Sequence, residues 1–203
     1  LRRPGVRAST RAWRADRKHR LPQQKPVSAD RISRAARELL PAETPVRSGT
    51  TPSRYAVPMS ITDAGVVSVS RALPAPPDAA FAGWIDSALA ARWLFATPGG
   101  RIVRCEIDAR PGGAFVITDR RDGEDVEHVG VYVEVDRPRR LLFRFKVPKY
   151  SSEESTVEVR VEAADSGALV TIETFDAPPE WREQTEQGWR ELLERLEALL
   201  RQG

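Results

Sequence analysis

Cysteine occurs once in these 203 residues, methionine once and histidine twice. Cys105 alone cannot close an intramolecular disulfide, and without a cysteine pair no cysteine-based zinc site is expected. A reducing cytoplasm is therefore the default compartment. No apolar run approaches the roughly 18 residues of a membrane span, so no spanning helix is expected. Also missing are a Walker loop, a dinucleotide-binding glycine motif after a strand, an H-E-x-x-H pair and a G-x-S-x-G elbow. The sequence thus asks for no metal and no cofactor.

What is present divides into two materials. Residues 1–58 hold 14 Lys/Arg against 4 Asp/Glu, whereas residues 59–203 hold 18 against 25, so the net charge of +3 conceals opposite signs. The basic part is rich in Arg, Pro, Ser and Thr and poor in large apolar residues, a composition that cannot bury enough surface to fold. It is read as a disordered extension, residues 1–58, in front of a folded domain, residues 59–203. One short amphipathic stretch, 30–40, sets Ile32, Ala35, Ala36, Leu39 and Leu40 on one helical face behind Asp30. Met59 stands immediately before the sequence turns globular, which suggests an upstream extension that the working protein lacks. A tail without a specific partner, a transit peptide, and a nucleic-acid arm with Trp13 among its arginines are the competing readings. Nucleic acid is a partner only through this arm.

From residue 65 the punctuation is regular. Alternation over 65–73 predicts a strand; Pro74 to Ile85 and 88–94 predict two short helices, with Asp86 and Ser87 as caps for the second. Six strands follow, over 101–109, 113–120, 124–136, 140–147, 155–164 and 168–175, joined by connectors too short for crossover helices, so the sheet should be antiparallel. Val129, Val131, Val133 and Val135 are expected on one side with Leu141, Phe143, Phe145 and Val147, and with Val157, Val159 and Val161, opposite Glu158, Arg160 and Glu162. The covering element is a helix from about 180 to 201, with Trp181, Gly188, Trp189, Leu192, Leu193, Leu196, Leu199 and Leu200 as its apolar stripe.

Certain residues carry a family resemblance. Trp93, the run Asp108-Ala109-Arg110-Pro111-Gly112-Gly113, Gly130, Pro138 before Leu141-Leu142-Phe143, Ser155-Thr156-Val157 and Gly188-Trp189 stand in the order found in the heat-shock ATPase-activator homologue family of the SRPBCC superfamily. Over residues about 65–201 the chain resembles that family. The resemblance implies an α+β helix-grip, START-like fold: a curved antiparallel sheet of about seven strands around a long C-terminal helix. It also implies an apolar cavity between helix and sheet for a small hydrophobic molecule, a few superfamily relatives being cyclases or hydrolases. Many relatives carry a histidine after the last strand's Thr/Ile-rich part; Thr171-Ile172-Glu173-Thr174-Phe175 has none.

The expected cavity lining is Phe81, Trp84, Trp93, Phe115, Phe143, Phe145, Gly188, Trp189 and Leu192, since such pockets are mostly apolar and aromatic. Glycine in a helix interior costs about 1 kcal/mol relative to alanine, so Gly188 beside Trp189 asks for a reason. Either it leaves a gap for a ligand, or it admits Trp84 or Trp93 from the short helices. His128 alternates with the valines and is assigned to solvent in preference to general-base duty. Cys105, grouped with Val103 and Ile107, reads as a buried inert thiol. Asp108, Arg110 and Asp119 form a charged cluster around the Gly112-Gly113 hairpin, which either places charge at the cavity mouth or, the preferred reading, is an exposed ion pair. Binding is therefore expected without chemistry; an enzyme using Asp119 or His128 is the alternative, and a chaperone contact through the outer sheet face is the third reading. Oligomeric state is not encoded in any of these features.

Overall fold

The computed structural model describes residues 65–175 and 177–202. The readings of the basic arm, of the 30–40 helix and of Trp13, His19 and Met59 lie outside the described residues.

Strand β1 (Val67–Leu73) is followed by helix α1 (Pro77–Ile85) and the single turn α2 (Ser87–Ala90). Proline at the N-terminus of α1 and Asp78 in its first turn fix where it begins. Asp86 ends α1 and caps α2, its carboxylate accepting from the Ala88 and Leu89 amides at 2.8 and 3.1 Å. Strands β2 (Arg101–Ile107), β3 (Ala114–Arg121), β4 (Glu124–Asp136), β5 (Arg140–Lys146), β6 (Ser155–Ala164) and β7 (Gly167–Phe175) come next, and α3 (Arg182–Leu200) closes the fold after a 3-10 turn. The order across the sheet is β1-β7-β6-β5-β4-β3-β2, with every described pairing antiparallel.

Two bulges bend this sheet and correct the expected faces. One falls between Ile102 and Arg104, the other between Tyr132 and Glu134. A bulge inserts one residue, so side chains beyond it change sides relative to simple alternation. Val135 therefore packs with the core, while Val129 and Val131 lie outside that core cluster, paired across to Lys146 and Arg144. The inner side of β4 is carried instead by His128, Gly130 and Tyr132. Val103 is likewise 40% exposed, not grouped with Cys105 and Ile107.

The core lies between the inner face and the helices. It joins Val69 and Leu73, the α1 residues Phe81 and Trp84, Leu141 and Phe143, the β6 valines, Val170, Ile172 and the α3 residues Trp189, Leu193, Leu196 and Leu199. Trp181 stands apart from this stripe at 54% exposure, because the 3-10 turn places it before the helical period begins. Helix α3 packs chiefly against β1 and α1. Arg71 crosses from β1 to Glu197 at 2.6 Å and to Glu194 at 3.3 Å, anchoring its C-terminal half. Helix α3 comes close to α1 at Gly83, where a Cβ would lie 2.8 Å from Leu196 Cδ1.

The outer face is charged. Arg140 bonds Glu134 and Glu158, and Arg160 bonds Glu158 and Glu173, linking β4 through β7 in one chain of ion pairs.

Candidate functional site

The space between α3 and the β2–β4 side of the sheet is filled by rings. Phe95 follows the turns after α2 with φ 59°, in the left-handed region where a bulky residue costs roughly 1–2 kcal/mol. It lies parallel to His128 at 4.3 Å and 6°, 5.3 Å from Phe145, 6.1 Å from Trp189 and 6.4 Å from Phe115. Such ring contacts contribute about 0.5–1.5 kcal/mol each beyond area burial, enough together to outweigh the backbone strain. Phe115 in turn needs Gly130 opposite it: a Cβ there would collide with the ring's Cζ and Cε1 and come within 2.6 Å of the Arg144 carbonyl.

Among the described residues, the openings on this side include a small void and a cleft, with Phe95 bordering both. Gly188 also edges a wider polar surface along α3 with Glu183, Gln184, Gln187 and Glu191. The void, about 10 Å³, is lined by Trp84, Leu94, Phe95, Phe115, Tyr132, Leu141 and Phe143. That is room for one water at most. The cleft, about 160 Å³ and half open, lies between α3 and the loop after α2; its walls are Phe95, Ala96, Thr97, Pro98, His128, Gly188, Glu191, Leu192 and Arg195. Gly188 is one of these walls. Among the described residues nothing lies within 4 Å of where the Gly188 Cβ would be, so neither Trp84 nor Trp93 uses this glycine. The helix contact foreseen at Gly188 is made at Gly83.

Of the nine expected lining residues, Gly188 and Leu192 border the cleft, and Trp84, Phe115 and Phe143 border the void. Phe81, Trp93 and Trp189 are buried in the core around them, and Phe145 is half-buried against Phe95. Trp84 and Trp93 meet edge to face at 4.7 Å, and Trp93 Nε1 donates to the Gly83 carbonyl at 3.0 Å. Trp189 Nε1 donates to Thr174 Oγ1 at 2.9 Å. Sequence reasoning missed Phe95, Thr97, Pro98, Glu191 and Arg195. The signal for Phe95 was an aromatic three residues before Pro98, at the entry to the Pro98-Gly99-Gly100 turn.

His128 corrects the expectation of a solvent-facing side chain: it is 8% exposed, on the inner face. Burial, and after it the Arg121 charge, push its pKa down to about 4, against weaker support from the Ile117 and Val126 carbonyls and Asp119. Asp119 also moves, away from the Asp108–Arg110 hairpin pair to the far end of β3. It is fully buried there, with Oδ2 accepting from Thr97 Oγ1 at 2.5 Å. Asp108 and Arg110 do pair, at 3.0 Å, with Arg110 largely exposed. His128 Nδ1, Asp119 Oδ1, Arg121 Nε, Thr118 Oγ1 and Trp84 Nε1 are buried without a hydrogen-bond partner among the described residues. Cys105 is half-buried, and burial followed by the charges of Asp86 and Glu106 pushes its thiol up to about 12, so it carries no thiolate at neutral pH. Among the described residues, no three His, Cys, Asp or Glu side chains are grouped to hold a metal. No helix among them is long and apolar enough to cross a membrane.

A seven-stranded antiparallel sheet closed on a C-terminal helix, with two short helices after its first strand, is the helix-grip architecture of START-like proteins. The chain belongs to the activator of Hsp90 ATPase homolog 1-like family, whose model matches residues 74–201. Among solved structures, protein NE0264 from Nitrosomonas europaea is 24% identical with a TM-score of 0.61, over 70% of this chain and 98% of that one. An AHSA1-like protein from Aeromonas hydrophila is 22% identical with a TM-score of 0.59, over 67% and 92%. DynU16, a protein of the dynemicin biosynthetic locus, is 22% identical with a TM-score of 0.56, over 68% and 47%. A search of curated proteins gives no match.

Proposed function

We propose that this protein binds a small hydrophobic molecule in the cleft beside Gly188, without chemistry of its own. One observation carries the reading: in the 19-residue helix α3, a Cβ added at Gly188 would meet no described residue within 4 Å, and the cleft it borders is walled in part by Phe95, Pro98 and Leu192. A helix interior selects against glycine by about 1 kcal/mol, and among the described residues no close neighbour excludes a Cβ at this position. Residues 59–203 form the binding unit in this reading, with residues 1–58 as its extension.

A cyclase or hydrolase would need His128 coupled to a carboxylate. Among the described residues no hydrogen bond joins His128 to Asp119, whose Oδ2 is taken by Thr97. Chaperone contact through the outer face would need an apolar patch, and the ion-pair chain from Glu134 to Glu173 occupies that surface. The test is titration with an apolar fluorescent probe. Gly188→Leu should remove the binding while the variant stays folded; unchanged binding in the folded variant would refute the assignment.

A further inference from the structure

Phe95 is the wall shared by the cleft and the void. Its backbone sits at φ 59°, and Gly99 and Gly100 follow four and five residues later, the former at φ 77°. Two polar atoms are buried without partners among the described residues, each on a residue that borders one of these spaces: Nε1 of Trp84, which lines the void, and Nδ1 of His128, which lines the cleft and stacks on the Phe95 ring. Both side chains are more than nine-tenths buried. A buried donor left unpaired is costly, and an indole N–H can only donate, so Trp84 asks for an acceptor.

We infer that Phe95 is a displaceable plug, and that the ligand is a planar aromatic ring bearing a hydrogen-bond acceptor, which enters through the Gly188 cleft and takes the place of the Phe95 ring. Phe115, Phe145 and Trp189 already hold one ring between them, so a ring is the shape that leaves their packing intact. Size agrees with this class: the cleft of about 160 Å³ is comparable to the roughly 150 Å³ apolar cavity that accepts benzene. Once Phe95 has swung out, the void and the cleft become one space with Trp84 at its inner end. An acceptor on the ring then meets Trp84 Nε1, the group that apolar side chains cannot satisfy.

This rests on the proposed binding function, and its test separates the two. Toluene and benzaldehyde are titrated by NMR into the full chain and into Phe95→Gly. With the plug removed, the competing ring no longer has to leave, so both should bind about tenfold tighter or more. Weaker binding to Phe95→Gly than to the native chain would mean that Phe95 is a fixed wall, overturning the plug while leaving the cleft reading intact. In the native protein, benzaldehyde should bind about fivefold more tightly than toluene, the worth of one added hydrogen bond. It should also show nuclear Overhauser contacts to Trp84 and Phe115. Contacts confined to Gly188 and Leu192 would overturn the inference even if Phe95→Gly does not fold. Failure of either ring to bind either protein would overturn the binding function itself, and this inference with it.

Discussion

Replacing Gly188 with alanine separates a glycine kept for space from one kept for packing. Position 188 is inside α3, where alanine is favoured over glycine by about 1 kcal/mol through the smaller loss of backbone entropy. The added methyl meets no described residue within 4 Å, so no steric cost from them opposes that gain. Gly188→Ala should therefore stabilise the protein by about 0.5–1 kcal/mol, raising Tm by roughly 2–5 °C for a domain of this size. Gly83→Ala is the internal control. The same exchange there drives a methyl to 2.8 Å from Leu196 Cδ1, a side chain with no solvent exposure. Leu196 must shift within a packed core, so Gly83→Ala should be less stable than Gly188→Ala. Thermal unfolding followed by circular dichroism at 222 nm, with urea titration for ΔG, measures both. Loss of stability in Gly188→Ala would refute the reasoning, because only an unseen contact at that methyl could produce it.

Three further outcomes follow from the same geometry. His128 is neutral when folded, with its pKa near 4 against 6.5 unfolded, so the unfolded chain takes up the proton first. Stability should be full above pH 6.5 and fall as pH drops toward 4, by on the order of 3 kcal/mol. Arg121 opposes protonation, Asp119 and the Ile117 and Val126 carbonyls favour it, and Glu191 and Arg195 face the same cleft from α3. His128→Phe should lose less stability than the native chain between pH 7.5 and 4.5 in urea titrations; identical slopes would contradict the assignment. Gly130→Ala should destabilise by about 1–3 kcal/mol or more, since neither the Phe115 ring nor the Arg144 carbonyl can retreat freely; an unchanged urea midpoint would refute this. Deleting residues 1–58 should leave thermal unfolding unaltered, because their basic composition, poor in large apolar residues, offers little surface to bury; a large fall in Tm would show that the arm belongs to the domain.

Element order and strand limits were legible because short turns and alternation are local signals. The strand read over 124–136 is Glu124–Asp136, and Asp86 caps α2 as its position suggested. Side-chain faces were less legible. A bulge leaves no mark in a run such as Val129 to Val135, yet it decides which valines meet the core, and His128 was misplaced with them. Asp119 was grouped with Asp108 and Arg110 because all three lie near one hairpin in sequence, whereas β3 carries it to the opposite end of the strand. Gly188 announced itself through its cost to the helix, but whether a glycine touches anything depends on residues far away in the chain. Phe95 was hidden for the same reason: a loop aromatic becomes a core residue only through partners on β3, β4, β5 and α3.

The central claim is that the seat for a ligand is the cleft at Gly188. Amide and methyl shift mapping of the full-length protein during titration with toluene tests it most directly. The account predicts saturable shifts at Phe95, His128, Gly188 and Leu192, with the outer-face residues Glu158 and Arg160 unmoved. Shifts centred on the outer face, or none at all up to the solubility of toluene, would contradict it.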